Sequence, residues 1–187
     1  GVGFTPDLVW IKDRNAANQH VLMDSVRGGN RQLNSSNTNA EQTQYDLTEA
    51  IESDGFSVGD NVAGTGATNI NGNGYVAWCW DAGANNTITG HSSVLYRGNS
   101  GTQTIKGLPF TPDLIWIKNR DRDIAHGLFD TVRGFGVSGG VNTAIGTNRT
   151  DAEGNGNGNV TGVVPNGFTL APGSSGSVPH TLTNQSG

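Results

Sequence analysis

Two short segments of the chain place a histidine and an aspartate where an extended strand would bring them onto one face. His20 and Asp24 form one pair, and His126 and Asp130 form the other. Residues separated by an even number of positions in a strand point to the same side of the sheet, and a carboxylate beside an imidazole can orient it as a general base. No serine or cysteine near either pair lies in a nucleophile turn sequence. The pairs are therefore predicted to be structural.

Four tryptophans could provide stacking surfaces for sugars or for a protein partner. Trp10 and Trp116 occupy equivalent places in apolar runs, which favours packing in a buried strand. Trp78 and Trp80 share one face of the apolar segment 75–80, and packing is the favoured interpretation for them as well. Exposure of either residue would favour a sugar-binding function instead.

Basic residues follow Trp10 and Trp116 at alternate positions. Lys12 and Arg14 follow Trp10, and Lys118 and Arg120 follow Trp116 in the same way. These side chains could meet an anionic glycan. The favoured interpretation is a strand end that emerges into solvent.

One segment imitates the start of a calcium-binding loop. Asp151, Glu153 and Asn155 alternate before Gly156, as oxygen ligands do around a hard cation. The bidentate glutamate expected at the twelfth position is replaced by Gly162. Calcium is the one ion that the sequence suggests, and no cofactor is expected.

Polysaccharide hydrolysis would need two carboxylates at a matched separation. The acidic residues available in the first half of the chain show no persuasive pairing: Asp24, Glu49, Glu52, Asp54 and Asp60. A depolymerase is therefore the third choice, and no enzymatic activity is expected.

The strongest feature of the sequence is an internal duplication. The segment Phe4–Arg14 recurs as Phe110–Arg120, and the Asp-(Ser/Thr)-Val-Arg-Gly ending at Gly28 recurs at Gly134. Both copies keep the same set of structural residues: Trp10 and Trp116, His20 and His126, Asp24 and Asp130, Arg27 and Arg133. We therefore predict two modules, residues 1–84 and 85–187.

The two copies differ at their ends. The segment 102–106 precedes the second copy and has no counterpart before the first, while the segment 75–80 has no counterpart after the second. This pattern predicts a piece of a longer array, with a lead-in strand absent from one module and a final strand absent from the other.

Short apolar runs rich in β-branched and aromatic residues alternate with Asn-Gly and Asp-Gly turns. Only residues 47–52 have a helix-like composition. The sequence predicts an all-β protein made of two tandem β-sandwich or jelly-roll-like modules.

Composition excludes several classes of protein. The 187 residues carry a net charge of −5, which argues against a general nucleic-acid binder. No apolar stretch is long enough to insert into a membrane. The single cysteine, Cys79, excludes an intrachain disulfide.

Four motifs in order resemble a repeat domain of large virion proteins of tailed bacteriophages, often marine ones. They are the duplicated Phe-Thr-Pro-Asp-Leu-(Val/Ile)-Trp-Ile-Lys-x-Arg, the Asp-(Ser/Thr)-Val-Arg-Gly, the (Asp/Asn)-Gly-Phe and the segment 75–83. The resemblance implies lectin-like modules in a tail fibre or structural virion protein, outside the cell. It also implies partners: other copies in a trimer, other virion proteins and host-surface glycan.

We therefore expect a non-enzymatic structural and adhesion module. The alternative is a carbohydrate-binding module of bacterial or phage origin.

Overall fold

The computed structural model describes residues 1–43, 48–60, 68–83, 90–135, 137–138, 141–153, 160–171 and 183–184. All regular structure in these ranges is β-strand, so the all-β prediction is confirmed. Within the same ranges no helix is long and apolar enough to cross a bilayer. The chain forms two compact units, one of Gly1–Asn37 with Glu41–Leu95 and one of Thr38–Ala40 with Tyr96–Gly187. The predicted boundary after residue 84 falls in the segment 84–89, outside the described residues.

Unit 1 contains seven described strands, named in chain order: β1 (Leu8–Asp13), β2 (Val21–Asp24), β3 (Arg31–Asn34), β4 (Gln42–Thr43), β5 (Ala50–Glu52), β6 (Gly55–Ser57) and β7 (Tyr75–Trp80). Five of them form one antiparallel sheet in the order β4-β3-β2-β1-β7. The short strands β5 and β6 pair with each other as a hairpin.

The core of unit 1 lies on one face of this sheet. Val9 and Ile11 from β1 are buried together with Val21 and Met23 from β2, and Ile51 of the hairpin packs against them. Because side chains alternate along a strand, the intervening residues of β1 point to the opposite face. β1 lies between β2 and β7, but only one of its faces is in the core.

Two packing predictions need correction. Trp10 is only partly buried, on the face opposite the core cluster. The segment Tyr75–Trp80 is the terminal strand of its sheet rather than a buried one, and its Trp78 and Trp80 are 46% and 37% exposed. Since β7 is apolar on both faces but is covered on only one, the sequence alone suggested more burial than the fold provides.

Unit 2 contains seven further described strands: β8 (Gln103–Lys106), β9 (Leu114–Ile117), β10 (Gly127–Asp130), β11 (Val137–Ser138), β12 (Val141–Asn142), β13 (Val160–Val164) and β14 (Gly167–Leu170). They form the pairs β9-β10 and β11-β12 and the three-stranded sheet β13-β14-β8. Phe129, Val160 and Leu170 are fully buried in this unit.

The duplication is visible in the strand register. β1 pairs Leu8 with Asp24 and Trp10 with Leu22, and β9 pairs the equivalent Leu114 with Asp130 in the same way. The β5-β6 and β13-β14 hairpins also share their register. Equivalent pairing of equivalent residues confirms two copies of one β-rich repeat.

The helix-like segment 47–52 does not form a helix in its described part. Ala50–Glu52 is strand β5, and Ile51 pairs with Phe56 across the hairpin. Packing of Ile51 against the sheet outweighs the weak helical preference of a short segment.

The carboxylate of Asp13 organises the loops at the end of β1. Its Oδ1 accepts hydrogen bonds from the backbone of Asn15 and Ala16, and its Oδ2 accepts from the side-chain amides of Asn18 and Asn73 at 2.7 Å each. Burial raises the pKa of Asp13, but these hydrogen bonds outweigh burial and hold the pKa below its ordinary value of 3.8.

This carboxylate predicts a specific acid sensitivity for unit 1. Because the pKa of Asp13 is lower in the folded state, its stabilisation is fully present above the unfolded pKa and is lost as the pH falls through the folded pKa. We expect Asp13→Asn to flatten the stability profile below about pH 4. Urea unfolding between pH 2 and 7 measures the free energy of unfolding of both proteins. The same loss of stability at acid pH in the variant and the unmodified chain would contradict the prediction. Asn119, the equivalent residue of the second copy, shows that the repeat accepts asparagine here.

Candidate functional site

The duplicated Asp-(Ser/Thr)-Val-Arg-Gly motif is a turn held by an ion pair. In unit 1, Arg27 Nε lies 2.5 Å from Asp24 Oδ2, and the Arg27 backbone N–H donates to Asp24 Oδ1 at 2.9 Å. A second guanidinium nitrogen donates to the carbonyl of Leu22, and a third lies 3.5 Å from Glu41. Gly28 ends the turn at a φ of 93°, where a side chain would be strained.

Unit 2 repeats this turn atom by atom. Arg133 Nε lies 2.6 Å from Asp130 Oδ2, its backbone N–H donates to Asp130 Oδ1 at 2.9 Å, and it also donates to the carbonyl of Leu128. The Arg133 backbone hydrogen bond is the main cause that lowers the pKa of Asp130, with the guanidinium adding to it. The aspartates that the sequence pairs with histidines are thus held by arginine, in a structural turn.

The two histidines of the pattern lie against tryptophan. In unit 2 the indole N–H of Trp116 donates to His126 Nδ1 at 3.0 Å, and His126 is buried. In unit 1 the rings of Trp10 and His20 are 6.3 Å apart and tilted by 39°. Burial, then the charge of Lys12, lowers the pKa of His20, which favours a neutral imidazole.

The two lysines of the predicted basic pattern donate hydrogen bonds to backbone carbonyls of the loops that follow their strands. Lys12 Nζ donates to the carbonyls of Ala16 and Asn18, and Lys118 Nζ donates to the carbonyls of Asn119 and Arg122. Burial lowers the pKa of Lys118 to about 8, although the nearby carboxylate of Asp123 raises it.

The two arginines of the same pattern lie beyond the strands. Arg14 is exposed past the end of β1, and Arg120 is partly buried after β9. Binding of an anionic glycan by these basic residues stays a prediction.

The predicted calcium ligands do not converge in the part of the chain that is described. Asp151 forms an ion pair with Arg149, and Glu153 lies 3.7 Å from Arg133. Asn155 lies outside the described residues. No group of three or more metal-binding side chains occurs among the described residues.

The structure does bring together a set of aromatic side chains on the outer face of the unit 1 sheet. Trp10 and Trp78 are direct partners across β1 and β7, with ring centroids 5.5 Å apart and planes tilted by 50°. Trp80 is two residues further along β7 and therefore shares this face. We call Trp10, Trp78, Trp80, His20 and His91 the aromatic row.

His91 completes the aromatic row at its far end. Its ring lies 6.4 Å from that of Trp80, tilted by 30°. Burial lowers the pKa of His91, although the negative charges of Asp7 and Asp24 raise it. Sequence reasoning missed this residue because it lies outside every duplicated motif and no spacing signal connects it to β7.

Two reactive side chains of the β1–β2–β7 sheet are engaged away from the aromatic row. Cys79 points to the opposite face and packs against the core, and burial raises the pKa of its thiol. Asp24 is bound to Arg27. What the aromatic row offers is therefore a largely apolar surface of indole and neutral imidazole rings, which suits stacking against the apolar face of a ligand.

The comparisons with known proteins extend the finding of a duplication. No curated protein and no solved structure shows significant similarity to this chain. One family model, described as a domain of unknown function (DUF7483), matches residues 1–93 and matches again over residues 89–187. Two consecutive matches cover the chain and coincide with the two sets of equivalent strands. The chain therefore belongs to this family and contains two tandem copies of its domain.

Proposed function

We propose that this chain is a non-enzymatic adhesion and assembly module of a virion fibre or surface appendage, built from lectin-like or jelly-roll-like β domains. In this proposal the aromatic row of unit 1 attaches the module to carbohydrate on a host surface. The observation that carries the proposal is the exposure of Trp78 and Trp80 side by side on an outer sheet face.

Indole rings are among the largest apolar side chains, and a cluster of them open to water is more informative than a single exposed leucine. The aromatic row exposes two such rings beside the partly buried Trp10. Pyranose sugars present apolar C–H faces, and the indole rings of the aromatic row can cover those faces. Carbohydrate is therefore the ligand class that fits this surface best.

The virion part of the proposal rests on the resemblance of the duplicated motifs to tailed-phage structural proteins. Tandem repeats rich in asparagine and glycine turns support an extended appendage, since such turns present uncharged hydrogen-bonding loops. Fibre proteins with this resemblance are commonly trimeric, so self-association of this chain is part of the proposal. The alternative is a carbohydrate-binding module outside a virion, which would use the same aromatic row.

A sugar-binding measurement tests the attachment function. In a Trp116→Phe background, tryptophan emission comes only from Trp10, Trp78 and Trp80. We expect neutral oligosaccharides, or host capsule and lipopolysaccharide fragments, to change this emission in a saturable way. Absence of any emission change, together with a glycan array without hits, would reject the aromatic row as a sugar site.

Particle localisation separates the two proposed settings. We expect antibodies against the chain to label an appendage on purified virions, and sedimentation of the purified chain to show a trimer. Sugar binding without virion labelling would leave the carbohydrate-binding module as the function and would reject the virion assignment.

A further inference from the structure

The equivalent strands β1 and β9 differ in their strand partners. β1 has β2 on one side and β7 on the other, whereas β9 pairs only with β10 within the described part of the chain. An open strand edge presents backbone groups that can pair with another extended segment. Unit 1 shows what kind of segment this edge of the repeat accepts.

In unit 1 the edge is occupied along six register positions, from Leu8 opposite Trp80 to Asp13 opposite Tyr75. The backbone N–H of Arg14 donates to the carbonyl of Gly74 at 2.9 Å. Antiparallel pairing alternates, so the even-numbered residues of β1 direct their backbone groups to β7.

Asp7 forms hydrogen bonds with the C-terminal end of β7. Its backbone N–H donates to the carbonyl of Trp80 at 2.8 Å, and its Oδ2 accepts the backbone N–H of Ala82 at 2.7 Å. Its Oδ1 accepts the hydroxyl of Ser25 at 2.6 Å. The carboxylate of Asp7 thus connects the turn after β2 to the residues that follow β7.

Unit 2 contains the same receiving groups. Asp113 Oδ1 accepts the hydroxyl of Thr131 at 3.1 Å, as Asp7 does with its own partner. In unit 1, Asp7 Oδ2 accepts the backbone N–H of Ala82. No described residue donates a hydrogen bond to the equivalent Oδ2 of Asp113. The Thr131 N–H donates to the Asp113 carbonyl at 3.0 Å, so by alternation the backbone N–H of Leu114 points away from β10. Leu114 is 60% exposed.

We propose that the outer edge of β9 binds, by strand addition, a separate extended segment with the sequence pattern of β7. The segment has aromatic residues at alternate positions, followed by an aspartate and a small residue whose backbone N–H reaches Asp113. Main-chain hydrogen bonds to Leu114 and Lys118 supply affinity, and the carboxylate of Asp113 selects the register.

A peptide of residues 74–83 carrying Cys79→Ser tests this proposal directly. With a fluorescent label, it is expected to bind the complete 187-residue chain saturably, whereas a scrambled peptide does not. In the register of unit 1, the peptide N–H groups at positions 76 and 80 face the receiving strand, and those at 77 and 79 face away.

Backbone methylation at positions 76 and 80 should therefore abolish binding, while methylation at 77 and 79 should preserve it. Equal effects of the two methylation patterns, or no binding by the unmodified peptide, would overturn the proposal.

Two matched variants identify which unit binds the peptide. We expect Asp113→Asn to weaken binding about tenfold, the loss expected for one hydrogen bond to a charged group, and Asp7→Asn to leave binding unchanged. Hydrogen exchange should show new protection of the Leu114 amide when the peptide is present. An effect of Asp7→Asn alone would mean that the peptide displaces β7 in unit 1, and protection of Leu114 before addition would mean that its edge is already occupied. Either result would reject strand addition at β9.

Discussion

Replacement of Arg27 by alanine is expected to destabilise unit 1 by about 3–5 kcal/mol, the cost typical of removing one partner from a buried ion pair. The Arg27 side chain is only 4% exposed, and it lies against the buried carboxylates of Asp24 and Glu41. Its loss leaves Asp24 without its cation, leaves Glu41 paired with the exposed Arg31, and removes the hydrogen bond to the Leu22 carbonyl. Urea unfolding in the Trp116→Phe background measures the change, since the remaining tryptophans all lie in unit 1.

The matched control is Arg31→Ala, because Arg31 also lies close to Glu41, at 3.3 Å, but its side chain is 47% exposed. Exposed ion pairs contribute about 1 kcal/mol or less, so this variant should remain close to the unmodified chain. Equal losses of stability in the two variants would contradict the prediction that burial makes the Arg27 ion pair the more stabilising one. The equivalent Arg133→Ala in unit 2 should have an intermediate effect, because Arg133 is 19% exposed.

The double variant Trp78→Ala with Trp80→Ala is expected to abolish carbohydrate binding, with a loss of at least tenfold in affinity for each ring, about 1.4 kcal/mol. Both rings are exposed, so the variant removes ligand contacts while the core of Val9 and Ile11 remains intact. Isothermal titration with the best glycan from the array measures the affinity.

The control for this variant is Trp116→Phe, which changes a tryptophan in unit 2 and should leave the affinity unchanged. Thermal unfolding must show that the double variant is folded. A folded double variant that binds glycan as tightly as the unmodified chain would exclude the aromatic row as the binding surface.

The sequence determined the repeat and the class of fold. Duplicated motifs, β-branched runs and Asn-Gly turns depend on local spacing, which survives in any tertiary arrangement, and they correctly predicted two copies of an all-β domain. The sequence also predicted a structural role for Asp24 and Asp130, and the structure places both carboxylates in turns where they bind Arg27 and Arg133.

The tertiary structure decided which faces are buried and which strands have neighbours. The apolar segments of β1 and β7 indicated burial on both faces, but only one face of their sheet packs against the core, so the second face became the aromatic row. The addition of His91 to this row and the different neighbours of β1 and β9 depend on contacts between residues far apart in the chain. Periodicity records which residues share a face, while only the packing of distant segments determines whether that face meets protein or water.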